Sequence, residues 1–314
     1  MEKDMLSIIS NRKTKSLVEK TAAIIFRGCA IVSIIAVISI TGYMIVSGTP
    51  AIFKEGLLEI LFGTVWAPTA ADPQYGILLI ILTSIVGVFL AICIGVPIGL
   101  FTAINLAELA NPKVRKVVKS AIELLAGIPS VVYGLLGILL VCPVMYDLER
   151  IIFAGSKTHQ FTGGANLISA IIVLAIMILP IICRNTQVAL EGVPKSYREA
   201  ALGIGATKWY MIRTVLLPSA MPGILTGVIL GMGRIVAESA ALLFTAGSVS
   251  VLPKNIFTHL SSSGATLTIQ LYLEMAKANY ETAFVIALVL IVIVLLLNFL
   301  AKLISNKFDV NKVK

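Results

Sequence analysis

Gly76-Ile-Leu-Leu-Ile-Ile-Leu-Thr-Ser-Ile-Val-Gly-Val-Phe-Leu-Ala-Ile-Cys-Ile-Gly-Val-Pro-Ile-Gly-Leu-Phe-Thr-Ala103 contains no charged side chain. About 20 consecutive apolar residues, wound as an α-helix, cross the hydrocarbon core of a bilayer. The stretch is therefore predicted to span a membrane. Within it Gly87, Ala91, Gly95 and Gly99 recur at intervals of four, which keeps them near one helix face. Small residues on such a face let a second helix approach to backbone contact. Glycine is also frequent in membrane helices generally, but a regular stripe argues for packing. Pro97 is placed to kink the segment.

Outward from this run, five others meet the same criterion: 28–46, 122–145, 167–183, 222–246 and 283–301. The run 167–183 is short and is expected to extend at one end. Gly223, Gly227 and Gly231 form a second stripe in 222–246. The fold class predicted is an all-α integral membrane protein with six transmembrane helices. Composition agrees: 58% of the 314 residues are hydrophobic, 13% are charged, and the mean hydropathy is +0.99. A soluble domain is about 45–50% apolar and about 25% charged. The first run is longer than a signal-peptide core and no A-x-A site follows it, so it reads as a retained anchor.

The net charge is +9. A basic chain first suggests nucleic acid, but these basic residues lie between apolar runs rather than in one patch, which excludes that class. Their distribution instead gives a topology. Six precede the first run. Lys113, Arg115, Lys116 and Lys119 separate the second from the third, and Arg184, Lys195, Arg198, Lys208 and Arg213 separate the fourth from the fifth. Four follow the last run. The alternate segments hold only Lys54, Arg150, Lys157, Lys254 and Lys277. The positive-inside rule places both termini in the cytoplasm, on a multi-pass protein of the cytoplasmic (inner) membrane. Cys29, Cys93, Cys142 and Cys183 form no CxxC pair and lie far from His159 and His259. They read as small buried residues rather than metal ligands or disulfides.

Arg234 and Glu238 are the candidate site within the membrane. Arg234 is 12 residues from each end of 222–246, roughly 18 Å at 1.5 Å per residue, and so near the bilayer centre. A charge at that depth costs several kcal/mol unless paired or wet. The i, i+4 spacing lets the two side chains pair on one helix face, and each lies seven residues after a glycine of the stripe. One reading is a polar constriction on an anion path, with the guanidinium fork suited to phosphate oxygens and the carboxylate accepting from a protonated one. The other is a structural ion pair locking helices together. The cost of a purely structural pair at mid-membrane favours the first.

Between the fourth and fifth runs, Pro194 suits the first turn of a helix and Ser196–Leu202 favours one. Gly203 and Gly205 break it. A second helix is expected to start near Thr207 and stop before Pro218. This is a short helix–turn–helix on the cytoplasmic face. It serves either as an interfacial segment, with Trp209 and Tyr210 at the headgroups, or as a docking surface for a soluble partner.

Glu199-Ala200-Ala201, Gly205, Val215, Leu217 and Pro218 fit EAA-x3-G-x9-I-x-L-P at every spacing, with Val215 in the Ile slot. This resembles the EAA loop of ABC-importer permeases. Ile122-Glu-Leu-Leu-Ala-Gly-Ile-Pro-Ser-Val-Val-Tyr-Gly134, Gly233-Arg-Ile-Val-Ala-Glu238, Trp66-Ala-Pro68, Tyr75-Gly76, Thr266-Leu-Thr268 and Leu273-Glu-Met275 resemble phosphate-specific permeases of the PstC/PstA family. The PstC type is favoured by the Trp66 and Leu273 regions, while Arg184 and Phe244-Thr-Ala246 look more like PstA. Ala237-Glu238-Ser239 stands where the family usually has Gly-Glu-Thr.

The resemblance implies a MetI-like core of five helices plus an N-terminal helix. The chain then divides into 1–75 (tail, first helix and extracytoplasmic segment), 76–301 (permease domain, with its EAA loop at about 184–220) and a tail, 302–314. It implies a second homologous permease, two ATP-binding subunits and an extracytoplasmic phosphate-binding protein, besides membrane lipid. Glu199, Ala200, Ala201, Gly205, Leu217 and Pro218 would couple to the ATPase, and Arg234 and Glu238 would lie on the substrate pathway.

No G-x4-G-K-[ST] loop and no Ser/His/Asp or metal cluster occurs in the sequence. The chain is thus expected to be a transport subunit rather than an enzyme, with ATP and Mg on the partner and no cofactor of its own. The function expected is import of inorganic phosphate by alternating access. The alternatives are another oxyanion (sulfate, molybdate, tungstate) in the same machine, a secondary transporter or channel, or a phosphate-sensing scaffold. A secondary transporter predicts inverted repeats and several coupling residues; one intramembrane pair is seen.

Overall fold

The computed structural model describes residues 2–68, 70–155, 159, 161–247 and 260–307. Lys157, Lys254, His259 and residues 308–314 of the tail lie outside the described residues. Among those described, six helical stretches are long and apolar enough to cross a membrane: Glu19–Glu55, Leu78–Leu109, Ser130–Ile152, Leu167–Glu191, Lys208–Val236 and Tyr280–Asn306. Each expected run falls on one of them, and 167–183 extends to Glu191.

The first span belongs to α1 (Glu2–Glu55). After α2 (Leu57–Phe62), the two-residue strands β1 (Trp66–Ala67) and β2 (Gln74–Tyr75) pair antiparallel, with Trp66 edge-on to Tyr75. The second span, α3 (Leu78–Ile104), runs into π-helical turns at Asn105–Leu109.

The third run does not start at 122. Pro129 pushes Ile128 into extended backbone (φ −72°, ψ 127°), because the residue before proline disfavours the α region. That ends α4 (Pro112–Gly127), a helix that buries none of its residues and is capped by Asn111 through the Val114 amide. The span begins afresh as α5 (Ser130–Leu136). It passes through π turns at Gly137–Val141 into α6 (Cys142–Ile152).

At the centre stands α7 (Leu167–Glu191), with 67% of its most apolar stretch buried. The two small-residue stripes explain why. A methyl added at Gly95 of α3 would meet the Ile178 side chain at 2.7 Å, and one at Gly99 would meet Ile182 at 2.9 Å. From the other side, a methyl at Gly227 of α10 (Leu217–Val236) would come 2.7 Å from Asn185 Cβ. Missing side chains thus let α3 and α10 close on α7 from both flanks. Val88, Ala91, Leu174, Ile178, Ile182 and Ile235 form the core between them.

The fifth run also breaks. Instead of continuing to Ala246, α10 stops at Val236, and α11 (Ala240–Thr245) restarts after Ala237–Ser239. Further along the described residues come α12 (Leu267–Ala276) and α13 (Tyr280–Lys307), the sixth span. α1 stands at the edge and touches the rest mainly through α13, with Tyr43 edge-on to Phe284 at 5.4 Å. The cysteines divide: all four are free, Cys142 and Cys183 are buried as expected, and Cys29 and Cys93 are exposed on apolar helices.

Candidate functional site

On the side where the basic segments gather, α8 (Lys195–Gly203) and α9 (Lys208–Met211) form the expected helix–turn–helix. Pro194 lies at the cap rather than inside the first turn. Gly205 makes the turn with φ +86°, a conformation open to glycine at no steric cost. Thr207 caps α9 by accepting the Tyr210 amide. The expected stop before Pro218 does not occur. The helix widens to π turns over Ile212–Leu216 and continues as α10 with Pro218 in its first turn. The wider turn relieves the clash of the proline ring with the preceding carbonyls, so the chain crosses Pro218 without ending.

The motif residues divide by face. Glu199 and Ala200 are exposed; Ala201 is buried with Leu190, Met211, Ile212 and Leu216; Leu217 and Pro218 are half-buried. Around Glu199 and Ala200 stand Tyr197, Leu202, Trp209 and Tyr210, all exposed, with Ile204 at 87%. Exposed apolar side chains gathered in this way suit either a partner's surface or the headgroup region of a bilayer.

Sequence reading missed the side chain that holds this loop in place. Arg198 donates to Glu108 Oε1 through Nη2 at 2.7 Å and through Nε at 3.1 Å, and to the carbonyls of Leu190 and Val193 at 2.8 Å each. Glu108 is 90 residues away in sequence, in the π segment that ends α3. No periodicity links the two. The only sequence signal was an isolated acid between an apolar run and a basic loop.

Arg234 and Glu238 do not form the expected i, i+4 pair. Since α10 ends at Val236, Glu238 leaves the helix face, and no ion pair within 4 Å joins the two among the described residues. Glu238 is buried. Its Oε1 accepts the Ala241 amide at 3.0 Å, and its carbonyl accepts from Thr268 Oγ1 at 2.7 Å. The carboxylate thus opens α11, and Thr268 satisfies a carbonyl that the break sets free.

Arg234 is exposed. Its depth follows from register: Gly231 lies against Ile178 and Ile182, halfway along α7, and Arg234 is about one turn, or about 5 Å, beyond. The glycine stripe is taken up by α7, and Arg234, seven residues after Gly227, is exposed beyond that contact. The loop and the arginine therefore occupy the two ends of one helix. Seventeen residues separate Leu217 from Arg234, about 26 Å of α-helix.

Two other carboxylates are buried. Glu274 accepts from Gln270, Lys277 and Asn279, each at 2.9 Å, and fastens α12 to the start of α13. Glu149 meets His159 at 2.6 Å, beneath the stacked ring of Phe153. Neither adjoins Arg234 or the loop in sequence, and both have partners within the chain.

The family described as binding-protein-dependent transport system inner membrane component matches residues 95–310. A Bacillus subtilis protein named "Probable ABC transporter permease protein YqgH" is 35% identical over 96% of this chain and 95% of its own length. The phosphate transport system permease protein PstC of Haemophilus influenzae is 31% identical over 82% of this chain and 83% of its own. A PstA 2 protein of Mycobacterium tuberculosis is 35% identical over 68% and 66%. Among solved structures, a chain of a bacterial alginate ABC transporter, in complex with an alginate pentasaccharide-bound periplasmic protein, superposes with a TM-score of 0.55 at 17% identity, over 89% of this chain and 95% of that one. A chain of the MetNI methionine ABC transporter gives 0.51 at 20% identity, over 81% and 99%. At these identities the structures speak for the fold alone.

Proposed function

The chain belongs to the binding-protein-dependent transport system inner membrane components, and from that premise we propose that the cargo it passes is inorganic phosphate, with Arg234 as the contact on the path. As a member it is a multi-pass transport subunit of an ATP-binding-cassette importer, working with ATPase and substrate-binding partners, and not an enzyme. The observation that carries the cargo reading is Arg234: an exposed guanidinium in the last turn of the membrane helix α10, about one turn beyond where Gly231 meets the middle of α7, with no acid within 4 Å among the described residues. Such a charge cannot face hydrocarbon without a cost of several kcal/mol. It must face a wet cavity or a companion subunit, and its planar fork suits a tetrahedral oxyanion. The PstC and PstA names among relatives at 31–35% identity support phosphate as that anion.

The companion is a second, homologous permease of the PstC/PstA kind, the two arginine-bearing faces enclosing the path between them. Two ATP-binding subunits hold ATP and Mg under the EAA loops, where Glu199, Ala200 and Gly205 dock. The phosphate-loaded binding protein sits on the outer side, and both termini of this chain lie in the cytoplasm. ATP binding draws the loops together. α10, with Leu217 and Pro218 at one end and Arg234 near the other, carries the motion to mid-membrane, and the path changes the side to which it opens. Glu238 serves by holding the break after α10, which fixes where Arg234 stands.

The test is uptake of labelled phosphate by phosphate-starved cells that carry the chain, its deletion or Arg234→Ala, with excess unlabelled sulfate or molybdate. Loss of uptake in both altered strains, undisturbed by the competitors, is the expected result. Unchanged uptake in the deletion, with redundant carriers removed, would sink the phosphate assignment. Competition by sulfate or molybdate would transfer it to that anion.

A further inference from the structure

We propose that Arg198 is the joint through which the docking loop moves the membrane helices, a positioning residue that locks α8 to the π segment of α3 and to the end of α7. The proposal rests on the permease reading above and adds how motion leaves the loop. Arg198 precedes Glu199, yet the two face opposite ways: Glu199 lies exposed on the docking side, while Arg198 reaches inward to Glu108 and to the carbonyls of Leu190 and Val193. The contact is largely shielded, with side-chain exposures of 21% and 11%.

A second arginine meets the same π segment. Arg115 of α4 donates to the Ala107 carbonyl at 2.7 Å. Asn105–Leu109 is therefore gripped from α8 and from α4 at once. Apolar contact between Ala201, Met211 and Ile104 holds α8 near the membrane helices, but it is non-directional and permits sliding. A two-point guanidinium–carboxylate fork with two further carbonyl bonds fixes orientation as well as distance. A π segment is a wide, strained piece of helix suited to a change of pitch. A load applied at Glu199 and Ala200 thus reaches α3 and α7 without slack.

The experiment uses the assembled transporter with the native cysteines replaced and spin labels on Lys195→Cys of α8 and Phe101→Cys of α3. The interspin distance is compared between the nucleotide-free and the vanadate-trapped states. With Arg198 and Glu108 intact, one narrow distance is expected in both states, because the two helices move as one body. In Glu108→Gln the distribution should broaden and shift between states. Phosphate moved per ATP hydrolysed should fall about tenfold, within the range that loss of one coupling contact produces, while the complex assembles in normal amount. Arg198→Lys, which keeps the charge and loses the fork, should do the same and serves if Glu108→Gln fails to assemble; Glu108→Asp should restore part of the ratio. A distance that already shifts between states in the unaltered chain, or one that Glu108→Gln leaves unmoved, would overturn the joint. Were the distances to behave as expected while the unaltered transporter carried no phosphate, the joint would stand and the cargo reading would fall.

Discussion

Glu238 Oε1 accepts the main-chain N–H of Ala241 at 3.0 Å, so the carboxylate nearest Arg234 in sequence is committed to starting α11. This separates the roles of the two charges and makes them distinguishable by substitution. Glu238→Gln keeps an oxygen that can accept the same amide, and phosphate uptake should stay within about threefold of normal, the loss expected from a weakened cap. Arg234→Ala should cut uptake roughly 10- to 100-fold, as expected when a hydrogen bond to a charged group is lost, with normal amounts of protein in the membrane. Arg234→Lys should fall between, because the charge survives and the fork does not. Abolition of uptake by Glu238→Gln would show that the negative charge itself is needed on the path.

Gly227 and Gly233 lie on the same helix and should respond in opposite ways. A methyl at Gly227 would approach Asn185 Cβ at 2.7 Å, against the central helix. Gly227→Ala should lower stability by about 1–3 kcal/mol, the usual effect of overpacking. At Gly233 nothing lies within 4 Å, and Gly233→Ala should be neutral or stabilising by up to about 1 kcal/mol through helix propensity. Thermal unfolding of the purified complex in detergent measures both. Equal destabilisation would mean that the stripe is not a packing device.

The contrast also shows what a sequence can reveal in such a protein. The six spans, the glycine stripes and the helix–turn–helix of the EAA motif were legible because each is a local pattern: about 20 apolar residues, spacing by four, a fixed motif. The breaks at Ile128 and Ala237–Ser239 were not, because hydropathy continues across them. One is forced by the backbone restriction before Pro129, the other is stabilised by Thr268, thirty residues further on. Pro218 misled in the opposite sense, since π turns at Ile212–Leu216 carry the helix past it. The Arg198–Glu108 contact joins residues 90 apart, and only the packing of α3, α7 and α8 brings them together. At the arginine site, the expected partner of Arg234 was wrong, because pairing with Glu238 required the helix to continue and α10 ends at Val236.

Gly205 tests whether the loop acts through its shape. Its φ of +86° lies where a side chain is strained, yet no atom stands within 4 Å of where a Cβ would be. Gly205→Ala therefore meets no clash, and its cost, about 1–2 kcal/mol, is conformational. It should reorient α9 relative to α8 and reduce the ATPase subunit that co-purifies with the chain. Gly205→Asn should retain more, since Asn tolerates the left-handed region better. Full retention of the ATPase by Gly205→Ala would mean that docking does not depend on this turn.

Glu274 is fully buried, with 0% of its side chain exposed, and three side chains donate to it: Gln270, Lys277 and Asn279. The partners differ in a way that fixes the expected order of effects. Lys277 is 51% exposed, so its ion pair is screened by water, and Lys277→Ala should change stability by about 0.2–1 kcal/mol. Gln270 is buried, and Glu274→Ala would leave its amide without an acceptor, at about 1–3 kcal/mol for the group stranded. The expected order of melting temperatures for the purified complex is unaltered chain, then Lys277→Ala close below it, then Glu274→Ala well below. If Lys277→Ala proved as damaging as Glu274→Ala, the exposed ion pair, rather than the buried hydrogen bonds, would be what fastens α12 to α13.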